Sequence, residues 1–123
     1  MTKSILIIED EHVIGDALSE RLKSEGYNVT WETDATVGIE KALSQKPNLI
    51  ILDLVLPGKD GVSFLNDLRA DDAYGASANV LILTNLSSES ALEIAKSHGV
   101  KHYLIKTNWR LTEVVARVHE IIG

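Results

Sequence analysis

Five short runs of aliphatic and β-branched residues recur along this chain, separated by longer stretches with helical spacing. The runs are SILII (4–8), NVTWE (28–32), LIILD (49–53), VLIL (80–83) and HYLI (102–105). Strands that run parallel need a crossover between them, and a helix is the usual way to make one. The first, third and fourth runs are apolar throughout, as strands covered on both faces must be. The second alternates through Val29 and Trp31, which is the pattern of an edge strand.

The intervening segments have the spacing of helices with one apolar face. Residues 13–25 place Val13, Ile14, Ala17, Leu18 and Leu22 together, and Gly26 stops the helix. Residues 35–46 carry Ile39, Ala42 and Leu43 and end before Pro47. Residues 62–70 carry Val62, Leu65 and Leu68, and residues 88–98 carry Leu92 and Ala95 before Gly99. A final stripe runs through Leu111, Val114, Val115, Val118, Ile121 and Ile122 to the end of the sequence. The expectation is an α/β fold: a doubly wound, five-stranded parallel sheet, right-handed crossovers, and helices on both faces. One domain over 1–123 is expected, with no room for an attached output domain.

Composition removes whole classes of function. Apolar residues make up 45% of the chain and charged residues 24%, the balance of a globular protein. There is no cysteine, so disulfides and thiolate metal sites are excluded, which fits a reducing cytoplasm. The formal charge is −6 and the basic residues are scattered, so no nucleic-acid stripe is present. No apolar run is long enough for a membrane span, and the first one meets acids after four residues, unlike a signal peptide.

The chemistry gathers at the ends of the strands. In open α/β sheets, ligands sit beyond the carboxyl ends of the strands, at the point where the strand order reverses. Glu9 and Asp10 follow the first run, Asp53 ends the third, Thr84 follows the fourth and Lys106 the fifth. Three carboxylates placed together repel one another unless a cation lies among them. An all-oxygen donor set suits a hard ion such as Mg²⁺. A carboxylate in such a site can serve as a nucleophile toward phosphorus, with the Lys106 ammonium and the Thr84 hydroxyl holding the other phosphoryl oxygens. Glu11 reads as a surface residue. His12, His98, His102 and His119 lack ligand spacing and also read as surface residues, while Trp31 and Trp109 read as packing residues.

At these positions the sequence resembles the receiver domains of two-component response regulators. LIIED, LIILDLVLPGKDG, VLILT and HYLIK stand in that family's order, with Asp53, Pro57 and Gly61 at its spacing. The resemblance implies a flavodoxin-like fold with strand order 2-1-3-4-5. It implies that Asp53 accepts a phosphoryl group from the phosphohistidine of a histidine kinase or histidine phosphotransfer protein. Asp10 would ligate Mg²⁺ directly and Glu9 mostly through water, with Asp53 and the Val55 carbonyl as further ligands. Lys106 would pair with the phosphoryl group, and Thr84 with Tyr103 would form a switch pair. The switch would remodel a face made by the fourth helix, fifth strand and fifth helix, where a second copy or an output protein would bind.

Two departures and three rivals bear on that resemblance. Lys106-Thr107 stands where the family usually has Lys-Pro, and Asn85 stands where a small residue is usual. A non-proline cis bond costs roughly 3–4 kcal/mol, so the Lys106–Thr107 bond is expected to be trans and its loop to take its own path. Asn85 is expected to narrow access to Asp53. A flavodoxin-like cofactor binder would need a phosphate-cradling loop after the first strand, where this chain places acids. A haloacid-dehalogenase-type phosphatase would need a second aspartate at position 55, which is Val55. A pseudo-receiver that only binds protein would lack part of the reactive set, which here is complete.

Overall fold

The computed structural model describes residues 2–108 and 110–123. The chain alternates β1 (Ser4–Ile8), α1 (His12–Ser24), β2 (Asn28–Glu32), α2 (Ala35–Gln45), β3 (Leu49–Leu52) and α3 (Gly61–Arg69). It continues through β4 (Val80–Thr84), α4 (Ser88–Ser97), β5 (His102–Ile105) and α5 (Leu111–Ile122). All strands pair in parallel, in the order β2-β1-β3-β4-β5, as expected of a flavodoxin-like sheet. Two short 3₁₀ turns, Gly75–Ser77 and Lys106–Asn108, have no counterpart in the sequence reading.

The sheet separates two cores. Leu6, Ile8, Ile50, Leu52, Val80 and Ile82 face one side with Phe64, Leu65 and Leu68 of α3, Ala42 of α2 and Ala95 of α4. Ile5, Ile7, Leu49, Ile51, Leu81 and Leu83 face the other with Leu18 and Leu22 of α1 and the α5 stripe. Every residue of β1 from Ile5 onward, and all of β3, is buried, which is why these runs show no polar alternation. Burying such a side chain contributes roughly 1.5–3 kcal/mol, so a polar residue inside β3 would be costly. Past these apolar runs of β1 and β3 the first residues are acids, Glu9 and Asp53.

Helix entry and exit follow local chemistry. Asp34 caps α2 by accepting from the Thr36 and Val37 amides, Asp60 caps α3 through Ser63, and Ser87 caps α4 through Ser90. Three helical residues expected in the core are not there. Val13 is 85% exposed, and Leu43 and Leu92 are also exposed. The buried stripe of α1 is set by Gly15, Leu18, Ser19 and Leu22, and that of α4 by Ala91 and Ala95. In both helices small residues let the backbone approach the sheet, which rotates the larger neighbours outward. Phe64, absent from the expected stripe of α3, is fully buried.

His98 and His102 are half-buried rather than surface residues. His98 is held at both ring nitrogens, by the Ile94 carbonyl at 2.8 Å and Asn66 at 2.9 Å. Trp109, expected to be a packing residue, lies outside the described residues. Among the described residues no helix is long and apolar enough to cross a membrane.

Candidate functional site

β1 and β3 lie side by side while α1 and α3 leave on opposite faces, so a crevice opens beyond their ends. The ladder extends one residue past each strand. The Glu9 amide donates to Glu32 at 3.0 Å, and the Asp53 amide donates to Ile8 at 3.0 Å. Both acids are therefore fixed by backbone pairing before their side chains make any contact. Glu9 is 1% exposed and Asp53 4%, while Asp10 is intermediate. Oxygen atoms from the three carboxylates all lie within 4.8 Å of one another.

The β3–α3 loop is tied down directly after Asp53. Oδ1 of Asp53 accepts from the Val55 amide at 3.1 Å, and the Gly61 amide donates to the Leu54 carbonyl at 3.0 Å. A Cβ on Gly61 would stand 2.5 Å from Leu54 Cα and 2.7 Å from the Asp53 carbonyl oxygen. The loop closes that tightly only because residue 61 has no side chain. Val55 itself is exposed.

Lys106 follows β5 and opens the second 3₁₀ turn, which sends its side chain back over the sheet end. Its ammonium lies 2.9 Å from Oδ2 of Asp53, 2.7 Å from Oε1 of Glu9 and 3.2 Å from Oε1 of Glu11. Glu11 is therefore not the plain surface residue expected: half-exposed, it reaches in as a third carboxylate on Lys106. The Glu9 contact is a close ion pair without the direction of a hydrogen bond, so Oε1 of Glu9 is a buried acceptor with no hydrogen-bond donor. Burial by itself would lower the Lys106 pKa, but its contacts with Glu9 and Asp53 outweigh that and raise it. Burial pushes Glu9 up to about 7; the Asp53 charge adds to this, and Lys106 and the Glu11 amide only partly offset it.

Three carboxylates against one ammonium leave surplus negative charge when all are ionised. That surplus and the hard oxygen donors of Glu9, Asp10 and Asp53 fit a divalent cation such as Mg²⁺.

Thr84 ends β4 and is fully buried. Its hydroxyl accepts from the Leu86 amide at 3.2 Å, and Ser87 rather than Thr84 caps α4. Tyr103 is half-buried, with its ring against the α3/α4-side core and its hydroxyl 3.5 Å from Ser88 Oγ. All peptide bonds among the described residues are trans, including Lys106–Thr107.

Trp31 does more than pack. Its indole Nε1 donates to the Glu9 carbonyl at 2.9 Å. The sequence hinted at this only through a glycine at position 15, inside a helix where alanine would be preferred.

The model of the response regulator receiver domain matches residues 5–119. The transcriptional regulatory protein PdtaR of Mycobacterium tuberculosis is 34% identical over 105 residues, spanning 85% of this chain and 49% of PdtaR. Response regulator ArlR of Staphylococcus aureus is 34% identical over 118 residues, spanning 96% of this chain and 52% of ArlR. The chain thus spans about half the length of these curated relatives.

Solved structures agree on the fold. The receiver domain of the sensor histidine kinase PA1611 from Pseudomonas aeruginosa superposes with a TM-score of 0.87 at 28% identity, covering 100% of this chain and 99% of that one. That structure has a magnesium ion coordinated in its active-site cleft. The chemotaxis protein CheY4 of Vibrio cholerae superposes with a TM-score of 0.90 at 21% identity, covering 99% of this chain and all of that one, and bears on fold alone. With the family model spanning nearly all of the sequence, and the acids of β1 and β3 meeting Lys106 at the end of such a sheet, the chain belongs to the receiver domains of two-component response regulators.

Proposed function

We propose that Asp53 is the phosphoacceptor of a Mg²⁺-dependent signalling reaction in the cytoplasm, taking its phosphoryl group from a phosphohistidine. The observation that carries this is the pairing of a 4% exposed Asp53 carboxylate with Lys106 at 2.9 Å, beside Glu9 and Asp10. An Asp53 oxygen forms a bond to phosphorus as the phosphorus–nitrogen bond of the donor breaks, and the imidazole leaves with its electron pair. Lys106 offers its ammonium to the incoming phosphoryl oxygens from the side it already occupies. Glu9, Asp10, Asp53 and the Val55 carbonyl would hold Mg²⁺, which when bound neutralises charge on the phosphoryl oxygens during transfer. The donor would be a histidine kinase or a histidine phosphotransfer protein.

Incubation with Mg²⁺ and acetyl phosphate should raise the intact mass by one phosphoryl group. Neither Asp53→Asn nor an EDTA-treated sample should show that gain. A labelled Asp53→Asn chain would place the phosphoryl group elsewhere and overturn the assignment.

Thr84 and Tyr103 would pass the change on. The Thr84 hydroxyl accepts from the Leu86 amide and would donate its own proton to a phosphoryl oxygen, so its movement toward Asp53 would pull on the start of the β4–α4 turn. Tyr103 touches Ser88 at the first residue of α4, so that turn and its ring share space. The face of α4, β5 and α5 is then the surface that changes, and a second copy or an output protein would bind there. Amide exchange with and without beryllofluoride should differ mainly within residues 84–115. Differences confined to residues 13–46 would count against this face.

A further inference from the structure

We infer that Trp31 is a positioning residue for the acidic turn, holding the peptide between Glu9 and Asp10 so that both carboxylates face a divalent cation. The inference rests on the cation reading proposed above. Both backbone groups of Glu9 are anchored by the edge strand β2. Its amide donates to the Glu32 carbonyl at 3.0 Å, and its carbonyl accepts from the Trp31 indole at 2.9 Å. The carbonyl of Glu9 and the amide of Asp10 belong to one planar unit. Fixing that carbonyl therefore fixes the plane from which Asp10 departs, while the Glu9 side chain is already buried.

The indole is itself held in place. Trp31 sits opposite Ile7 in the sheet register, next to the end of β1. A Cβ built on Gly15 would lie 2.1 Å from two ring carbons and 2.5 Å from Nε1, so the ring occupies the space a side chain would take. The His12 ring meets it edge-on, with centroids 5.6 Å apart and planes at 70°. Glycine inside a helix is unfavourable relative to alanine, and the ring seated against it gives position 15 a physical reason. If apolar packing were the whole purpose, phenylalanine would serve; the N–H aimed at the Glu9 carbonyl is what only tryptophan adds.

The test is Mn²⁺ affinity, read by electron paramagnetic resonance of the free ion, for the native chain, Trp31→Phe and Gly15→Ala. Trp31→Phe keeps an aromatic ring and loses the N–H. It should weaken Mn²⁺ binding about threefold to tenfold, the effect of one ordinary hydrogen bond, and lower the melting temperature by only a few degrees. In the metal-free chain the same variant should shift the Asp10 amide resonance and leave the amides of β4 and β5 in place. Gly15→Ala displaces the ring and should weaken binding in the same direction, with faster exchange of the indole N–H. Native Mn²⁺ affinity in Trp31→Phe would make Trp31 a packing residue only and overturn the inference. So would a loss accompanied by amide shifts spread across the whole sheet. A native chain that binds no Mn²⁺ would instead overturn the cation reading, and this inference with it.

Discussion

In EDTA at neutral pH, Lys106→Met should melt roughly 10 °C below the native chain, the equivalent of losing about 3 kcal/mol from a buried ion pair. The side chain of Lys106 is 4% exposed and its ammonium is the shared counter-charge for Asp53, Glu9 and Glu11. Methionine fills a similar volume, so the loss reads the charge rather than a cavity. Asp53 and Glu9 are left as buried carboxylates with Asp10 close by. Glu9 is already raised from the ordinary 4.5 to about 7 with the ammonium present, and without it the folded value goes higher.

A raised carboxyl keeps its proton in the folded chain after the unfolded chain has lost it. Stability therefore falls as pH rises from the unfolded value through the folded one. The deficit of Lys106→Met should be small at pH 5 and grow toward pH 8. Added Mg²⁺ should raise the melting temperature of the variant more than that of the native chain, because a dication supplies the missing charge. Equal melting of the two chains in EDTA, or a deficit indifferent to pH, would show that Lys106 is not the electrostatic support of the cluster.

The sheet, and Glu9, Asp10, Asp53 and Lys106 at its end, were legible in the sequence because strand-end position and residue type are both one-dimensional facts. A buried strand such as LIIL has to be apolar, so the first acid after it marks where the sheet opens. The resemblance then supplied the strand order, which the runs alone do not contain. Less was legible wherever a contact depends on the rotation of a helix or the reach of a long side chain. Val13 and Leu92 fitted the helical period, yet Gly15 and Ala91 turned α1 and α4 so that both point outward.

Glu11 reads in the sequence as a surface residue, the last of three acids in a row. Its contact with Lys106 joins residues far apart in the chain, and nothing near position 11 encodes it. The bond from Trp31 to Glu9 is of the same kind, across 22 positions. Gly15 was the one local signal, and its meaning depends on knowing which ring lies against it.

Once Asp53 carries a phosphoryl group, its loss should be slow, and both Val55→Asn and Leu86→Glu should speed it roughly tenfold. In hydrolysis a water oxygen bonds to phosphorus, the bond to the Asp53 oxygen breaks, and the carboxylate and inorganic phosphate are released. The water must be held in line with the departing oxygen and give up a proton, and neighbouring polar side chains usually arrange that. The positions two residues beyond Asp53 and two beyond Thr84 are best placed to do so. Here they are Val55, 55% exposed, and Leu86, half-buried against the core. Their backbone amides are already engaged, with Asp53 Oδ1 at 3.1 Å and Thr84 Oγ1 at 3.2 Å, and neither side chain can hydrogen-bond a water. Asn85 between Thr84 and Leu86 is exposed and polar, so the comparison is made at the two flanking positions with Asn85 left in place. The measurement is the decay of the phosphorylated intact mass after the donor is removed, for the native chain and each variant. An exposed Val55 leaves room for asparagine without repacking, so that variant is the cleaner of the two. If both variants decay at the native rate or more slowly, these side chains do not govern the attacking water, and the persistence of the signal has to come from the way Lys106 and Thr84 grip the phosphoryl oxygens.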